Sequence, residues 1–403
     1  MTEKEIFNEI KKMDGDLRKT RRFLHAHAEV GFSLRETRKF IIESLKELGY
    51  APKTVGKAGI LATTDGNFTR ATTKRVLLRA DMDGLPIAEK SGESFRCKRG
   101  NMHACGHDLH ATSLLGAARF LKTHEKELAG EVRLLFQPAE EILEGAKACI
   151  EDGVTQGIDG AFSLHVAVDT PLETGTVLLP PSGVSAPAAD YFTIEVTGKG
   201  CHGSAPQNGV DALLTASYIL LALQEISSRE LSPAQPAVLT VGKLLGGEAG
   251  NAVAQTASLQ GTLRAFDDSV RLRVKKRLCE IAQGVAKSFR AKAKISFGGG
   301  CPTLVNDGGM VALSEKIFKK ALGNKVLSVG NLGAGFASRN GGSEDFAYIS
   351  HETPSVMIAL CAGQTEKGYE YPLHHPKVRF DEGALVYGAF AYSAFAYSFL
   401  KKE

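Results

Sequence analysis

From about residue 5 to 170 the chain alternates amphipathic stretches with short apolar runs. Apolar positions at helical spacing predict helices over Glu36 to Leu48 and Leu109 to Leu121, while VLLRA at 76–80, VRLLF at 132–136 and AFSL at 161–164 predict buried strands. This alternation is the rhythm of an α/β domain with a mainly parallel sheet. It changes after PPSGVSAPAAD at 180–190. Tyr191 to Thr197 alternates as a strand, then come a helix over Val210 to Ser227, the strands PAVLTVGKL and TASLQGTLRAF, a basic amphipathic helix over Val270 to Arg290, and the strand AKISF at 293–297. The order βαββαβ is that of a ferredoxin-like α+β sandwich. It predicts a domain over 187–299 inserted into a discontinuous larger domain, 1–186 and 300–403. The larger domain ends with the strand SVMIAL at 355–360 and a terminal helix for which Asp381 is the expected N-cap.

The length of 403 residues agrees with two domains, or with one large domain carrying an insertion. Forty-nine Lys and Arg against 45 Asp and Glu give a net charge of +4, scattered along the chain, so nothing asks for nucleic acid. The apolar run Leu385 to Leu400 contains Gly388, Ser393 and Ser398 and falls short of the roughly 20 apolar residues of a membrane span. The first residues lack the apolar stretch of a signal peptide, so export is not expected. Seven widely spaced cysteines, an odd number, fit reduced thiols in a cytoplasm.

Each apolar strand of the larger domain runs into residues with chemical potential. VLLRA leads to Asp81 and Asp83, VRLLF to Glu140 and Glu141, AFSL to His165, and SVMIAL to a loop ending in PLHHP with His374 and His375. In a parallel sheet these all lie at the carboxyl edge, where open α/β folds bind ligands. The segment MHACGHDLH at 102–110 is a natural addition to that edge. Cys105 and His107, two apart, point to the same side of an extended loop in which Gly106 lets the backbone bend. Thiolate and imidazole together suit zinc, and imidazole with carboxylate also accepts other divalent transition metals. A cysteine nucleophile with a histidine base is the competing reading. Adjacent Glu140 and Glu141 point in different directions, so one can ligate a metal while the other serves as general base; alone, the pair also fits a solvated helix start. His103 and His110 lie near the loop without an assigned role, and His25, His27, His124 and His351 read as surface or packing residues.

RADMDGLP, MHACGHDLH, QPAEE, the isolated His165, GKGCHGSAP, GTLRAF, GSEDFA and LHHP occur in the order and approximate spacing of the M20 family of metallopeptidases. The chain resembles in particular that family's amidohydrolase branch, over nearly its whole length. The resemblance implies two divalent metal ions, manganese or zinc, held by Cys105, His107, Glu141, His165 and His374, with Glu140 as the general base and Asp83 lying behind the ligands. In PLHHP the first histidine matches the ligand of relatives that have LHSP. Asp81 stands where other branches place a metal-binding histidine. The inserted domain is similar to the family's lid, through which a homodimer is expected. Within it His202 matches a histidine that stabilises the oxyanion, often across the dimer, and Asn251 and Arg264 match residues that grip substrate. Gln207, where many relatives have histidine, and NAVA at 251–254, where they have NVIP, depart from the pattern outside the implied metal ligands. The implied activity is hydrolysis of the amide of an N-acylated amino acid or small peptide. The alternatives are an aminopeptidase or dipeptidase on the same scaffold, and a metal-stabilised binding protein without catalysis.

Overall fold

The computed structural model describes residues 1–64, 74–331 and 342–401. The chain divides into two compact units, one holding Met1–Ser185 and most of the chain after Val305, the other Ala186–Leu304.

The first unit is built on an eight-stranded sheet in the order Lys53–Val55, Gly59–Thr63, Gly130–Gln137, Lys74–Asp81, Gly160–Ala167, Ser355–Cys361, Val177–Leu179 and Val326–Ser328. The four central strands, Gly130–Gln137 through Ser355–Cys361, run parallel. Gly59–Thr63 and Val177–Leu179 join them antiparallel. Near-continuous burial of the central strands explains their unbroken apolar runs, since a parallel sheet is covered on both faces. His165 lies within its strand, opposite Ala359, and not in the loop after it.

Helices His107–Thr123 and Ala384–Phe399 are buried around almost their whole circumference, as their weak amphipathicity requires. Their close contact depends on a missing side chain, because a Cβ on Gly388 would stand 2.3 Å from Ser113 Oγ. The terminal helix is capped by Gly383 and not by Asp381. Asp381 lies two residues before the cap and accepts the Gly383 N–H at 2.9 Å and the Thr174 hydroxyl at 2.7 Å. Among the described residues no helix is long and apolar enough to cross a membrane.

The second unit has a four-stranded antiparallel sheet in the order Ala237–Gly246, Thr256–Ala265, Ala188–Thr197, Lys292–Cys301. Helices Ala212–Glu225 and Asp268–Ser288 share one apolar cluster with its inward residues, among them Phe192, Ile194, Val196, Leu259 and Leu263. Both helices start at an aspartate cap: Asp211 accepts the Leu214 N–H, and Asp267 those of Ser269 and Val270.

Candidate active site

The carboxyl edge of the parallel strands is where the chain gathers its polar residues. The segment before helix His107–Thr123 is not an extended loop; Gly106 adopts φ +84° and turns the chain directly into the helix. Cys105 therefore stands just outside the first turn and His107 is its first residue, and they still converge. Ligand atoms of Cys105, His107 and His165 lie within 4.8 Å of one another, as do those of Cys105, Glu141 and His374, and those of His107, Glu140 and Glu141. Cys105 Sγ is 3.3 Å from His165 Nε2 and 3.3 Å from His374 Nε2. The PLHHP segment is held by the His374 N–H donating to the Ala104 carbonyl at 2.9 Å. His375 is stacked on Tyr371 with ring centroids 4.5 Å apart.

Asp83 organises the centre of this group. Its two carboxylate oxygens accept the backbone N–H of Glu140 at 3.1 Å and of Glu141 at 3.3 Å, and its carbonyl accepts His107 Nδ1–H at 2.9 Å. The glutamates thus stand in a turn, Glu140 buried to 6% exposure, and helix Gly145–Glu151 begins only beyond them. With Nδ1 committed, His107 Nε2 faces the carboxylates, 3.9 Å from Glu140 and 3.9 Å from Glu141, buried and without a hydrogen-bond partner among the described residues. His165 donates Nδ1–H to the Val166 carbonyl at 2.7 Å and turns Nε2 toward Cys105. Burial pushes its pKa down to about 3, so it stays neutral as a ligand must. Burial pushes the Cys105 thiol well up. A buried thiol, an unpartnered imidazole nitrogen and two carboxylates in overlapping groups form a donor set that fits divalent transition metals.

The partners of two buried groups, whose residues the sequence had named without a role, were not visible in the sequence. Asp81 and His110 bond to each other behind the candidate ligands. His25, on helix Asp14–Ala26, is buried and touches carboxylates through both ring nitrogens, Asp108 at 2.9 Å and Glu89 at 3.0 Å. No periodic signal marks such residues; only the meeting of distant segments does.

In the second unit His202 lies on the short strand Cys201–His202, paired with Ala252–Val253, and the Gly203 N–H donates to the Asn251 carbonyl at 2.7 Å. His202 is exposed, and its Nδ1 accepts the Ser204 N–H at 3.2 Å. Arg264 stands elsewhere, toward the far end of strand Thr256–Ala265, its guanidinium 5.6 Å from the Tyr191 ring centroid. The structure brings His202 and Asn251 together and keeps Arg264 apart from them.

A mainly parallel α/β sheet with cysteine, histidine and glutamate side chains gathered at its carboxyl edge defines the class of metallohydrolases. Residues 77–398 match peptidase family M20/M25/M40. The chain is 39% identical to the N-acetyl-L-cysteine deacetylase of Bacillus subtilis (strain 168), over 91% of this chain and 84% of that protein. It is 35% identical to the hippurate hydrolase of Campylobacter jejuni, over 79% of this chain and 82% of that one. A crystal structure of a dinuclear metal-binding peptidase of the M20 family from Bacillus subtilis superposes with a TM-score of 0.76 at 30% identity, covering 97% of this chain and 99% of that one. The chain belongs to the peptidase family M20/M25/M40 and is a metal-dependent hydrolase of its amidohydrolase branch, acting on amide or peptide bonds.

Proposed function

We propose that the chain hydrolyses the amide bond of N-acylated amino acids, with Glu140 as general base and Cys105, His107, Glu141, His165 and His374 holding two divalent ions, manganese or zinc. When bound, such ions polarise the scissile carbonyl and acidify a water molecule. The single observation that carries the reading is Asp83 holding two successive glutamate N–H groups and the imidazole of His107. That anchorage supports different tasks for the adjacent carboxylates: Glu141, which also groups with Cys105 and His374, as a ligand, and Glu140 taking the proton of the attacking water and returning it to the leaving amine.

His202 accepts at Nδ1, so its Nε2 carries a proton that can be donated to the oxyanion. Arg264 would pair with the substrate carboxylate through a two-pronged hydrogen bond, while Asn251 holds the substrate amide region. Arg264 is eight residues along its strand from Thr256, about 26 Å at roughly 3.3 Å per residue, and His202 and Asn251 lie near the Thr256 end. One small substrate does not span that length. The reading therefore assigns His202 and Asn251 to the active site of a second subunit in a homodimer. A dimer through this unit is supported by exposed Leu214, Tyr218 and Leu221, which form a stripe along helix Ala212–Glu225, and by the position of strand Ala237–Gly246 at the edge of its sheet among the described residues. Cytoplasmic residence is part of the reading, supported by the odd number and wide spacing of the seven cysteines along the chain.

The test is a hydrolysis screen of N-acetyl, N-benzoyl and longer N-acyl amino acids with manganese, zinc and cobalt supplied separately, run beside free dipeptides. Glu140→Gln is expected to keep its metal and lose on the order of 10²–10⁴ in kcat. A metal-loaded variant with unchanged turnover would refute the base assignment.

A further inference from the structure

We propose that Asp81 and His110 form a positioning pair which, anchored by Arg79, fixes the orientation of His165 and His107 without itself holding metal. The inference rests on the metal-centre reading above.

Asp81 is well placed to be mistaken for a ligand: Oδ2 is 3.8 Å from His107 Nε2, and Asp81, His107 and His110 themselves form a cluster of ligand geometry. Both of its oxygens are engaged. Oδ1 lies 2.5 Å from His110 Nδ1, and Oδ2 accepts from Arg79 Nη1 at 2.7 Å. His110 is committed as well, because its Nε2 accepts the Val166 N–H at 2.9 Å. That bond fixes the tautomer, since a nitrogen that accepts leaves the proton on Nδ1, where Asp81 receives it.

The Val166 N–H reaches His110 for a topological reason. The ladder between strands Lys74–Asp81 and Gly160–Ala167 ends at Arg79 and Ser163, and past that end His110 takes the place of a strand partner. Val166 follows His165 directly, and its carbonyl receives His165 Nδ1–H. The His110 ring centroid is 4.7 Å from that of His165 and 5.3 Å from that of His107. His110 thus grips the peptide that aims one candidate ligand and packs against another.

Arg79 extends the same network to the glutamates. Its Nε donates to Gln137 Oε1 at 2.8 Å and its Nη2 to Asp345 Oδ1 at 2.9 Å, while Asp345 Oδ2 accepts the Ala146 N–H at 2.9 Å. Gln137 and Ala146 flank the turn that carries Glu140 and Glu141. Arg79, Asp81, His110, Gln137 and Asp345 are all fully buried. Partners of this kind, behind a ligand, set its orientation and basicity, and their loss costs about 10–100-fold in metal affinity or activity.

The experiment compares the wild-type protein with His110→Ala, His110→Gln and Asp81→Asn. Metal stoichiometry and affinity are read by chelator competition, and the cobalt-loaded proteins by their absorption spectra, including the thiolate band from Cys105. His110→Ala is expected to bind two ions about 10–100-fold more weakly, with an altered cobalt spectrum and a fall in kcat that leaves KM within about twofold. His110→Gln has an oxygen for the Val166 N–H and an amide hydrogen for Asp81, and is expected to recover part of each loss. If His110→Ala does not fold, Asp81→Asn is read the same way. A variant that folds with wild-type affinity, spectrum and kcat would overturn the inference. So would a drop from two ions to one in His110→Ala without recovery in His110→Gln, since that marks a ligand. Wild-type protein that binds no metal would refute the metal-centre reading and this inference with it, which separates the two failures.

Discussion

At the scale of single residues, the site is governed by charges that have left water and found partners. Arg79 is the clearest case, because its guanidinium lies between two fully buried carboxylates, Asp81 and Asp345. Arg79→Met keeps most of the side-chain volume but removes the buried countercharge of those carboxylates, and is expected to destabilise the protein by about 3–5 kcal/mol, measured by urea denaturation. His25 carries a different kind of charge. Burial alone would lower its pKa, but Asp108 and Glu89 outweigh that effect and hold it above the ordinary value. The groups facing it are Arg21, Asp108, Glu89 and His103. A raised folded pKa means that the stabilisation is fully present below the unfolded value of about 6.5 and is lost as pH rises through the folded value. The melting temperature is therefore expected to fall as pH rises above about 6.5, and His25→Gln is expected to flatten that dependence in a calorimetric pH series. A wild-type slope retained in the variant would show that another group is responsible.

At the scale of elements, one backbone conformation sets where a helix begins. Gly106 holds φ +84°, and a Cβ there would stand 2.4 Å from Val166 Cγ2 and 3.0 Å from the Phe380 ring. Gly106→Ala combines left-handed strain with a clash against the strand that carries His165, and is expected to cost about 1–3 kcal/mol. Weaker metal binding should accompany the lower melting temperature, since Cys105 and His107 flank the altered residue. The elements themselves were largely legible in the sequence. The helix expected over Leu109 to Leu121 is His107–Thr123, and the run VLLRA is the core of strand Lys74–Asp81. Ends were less so: AKISF runs on to Cys301, and the helix ending near Ser227 passes into a π-helical turn over Ile226–Glu230. Boundaries depend on caps and neighbours, which hydrophobic period does not encode.

At the scale of the whole molecule, the dimeric reading predicts complementation. Glu140→Gln and His202→Ala are each expected to be inactive as pure dimers, and to regain activity when co-expressed, because a mixed dimer contains one site with both native groups. Absence of recovery in mixed dimers confirmed by tagged purification would place both groups in one subunit's site. What the sequence by itself determined is the alternation of strands and helices, the change of rhythm near residue 190, and the placement of polar residues after apolar strands at one sheet edge; periodicity and strand direction suffice for these. What only the tertiary structure decided is how those residues face one another. The grip of Asp83 on two glutamates, the commitment of Asp81 and His110 to each other, and the burial of His25 between two carboxylates each join segments far apart in the chain. A local pattern shows which residues are polar, but whether a buried polar atom is a ligand, a support or a bridge depends on which partner reaches it first, and that is settled by packing.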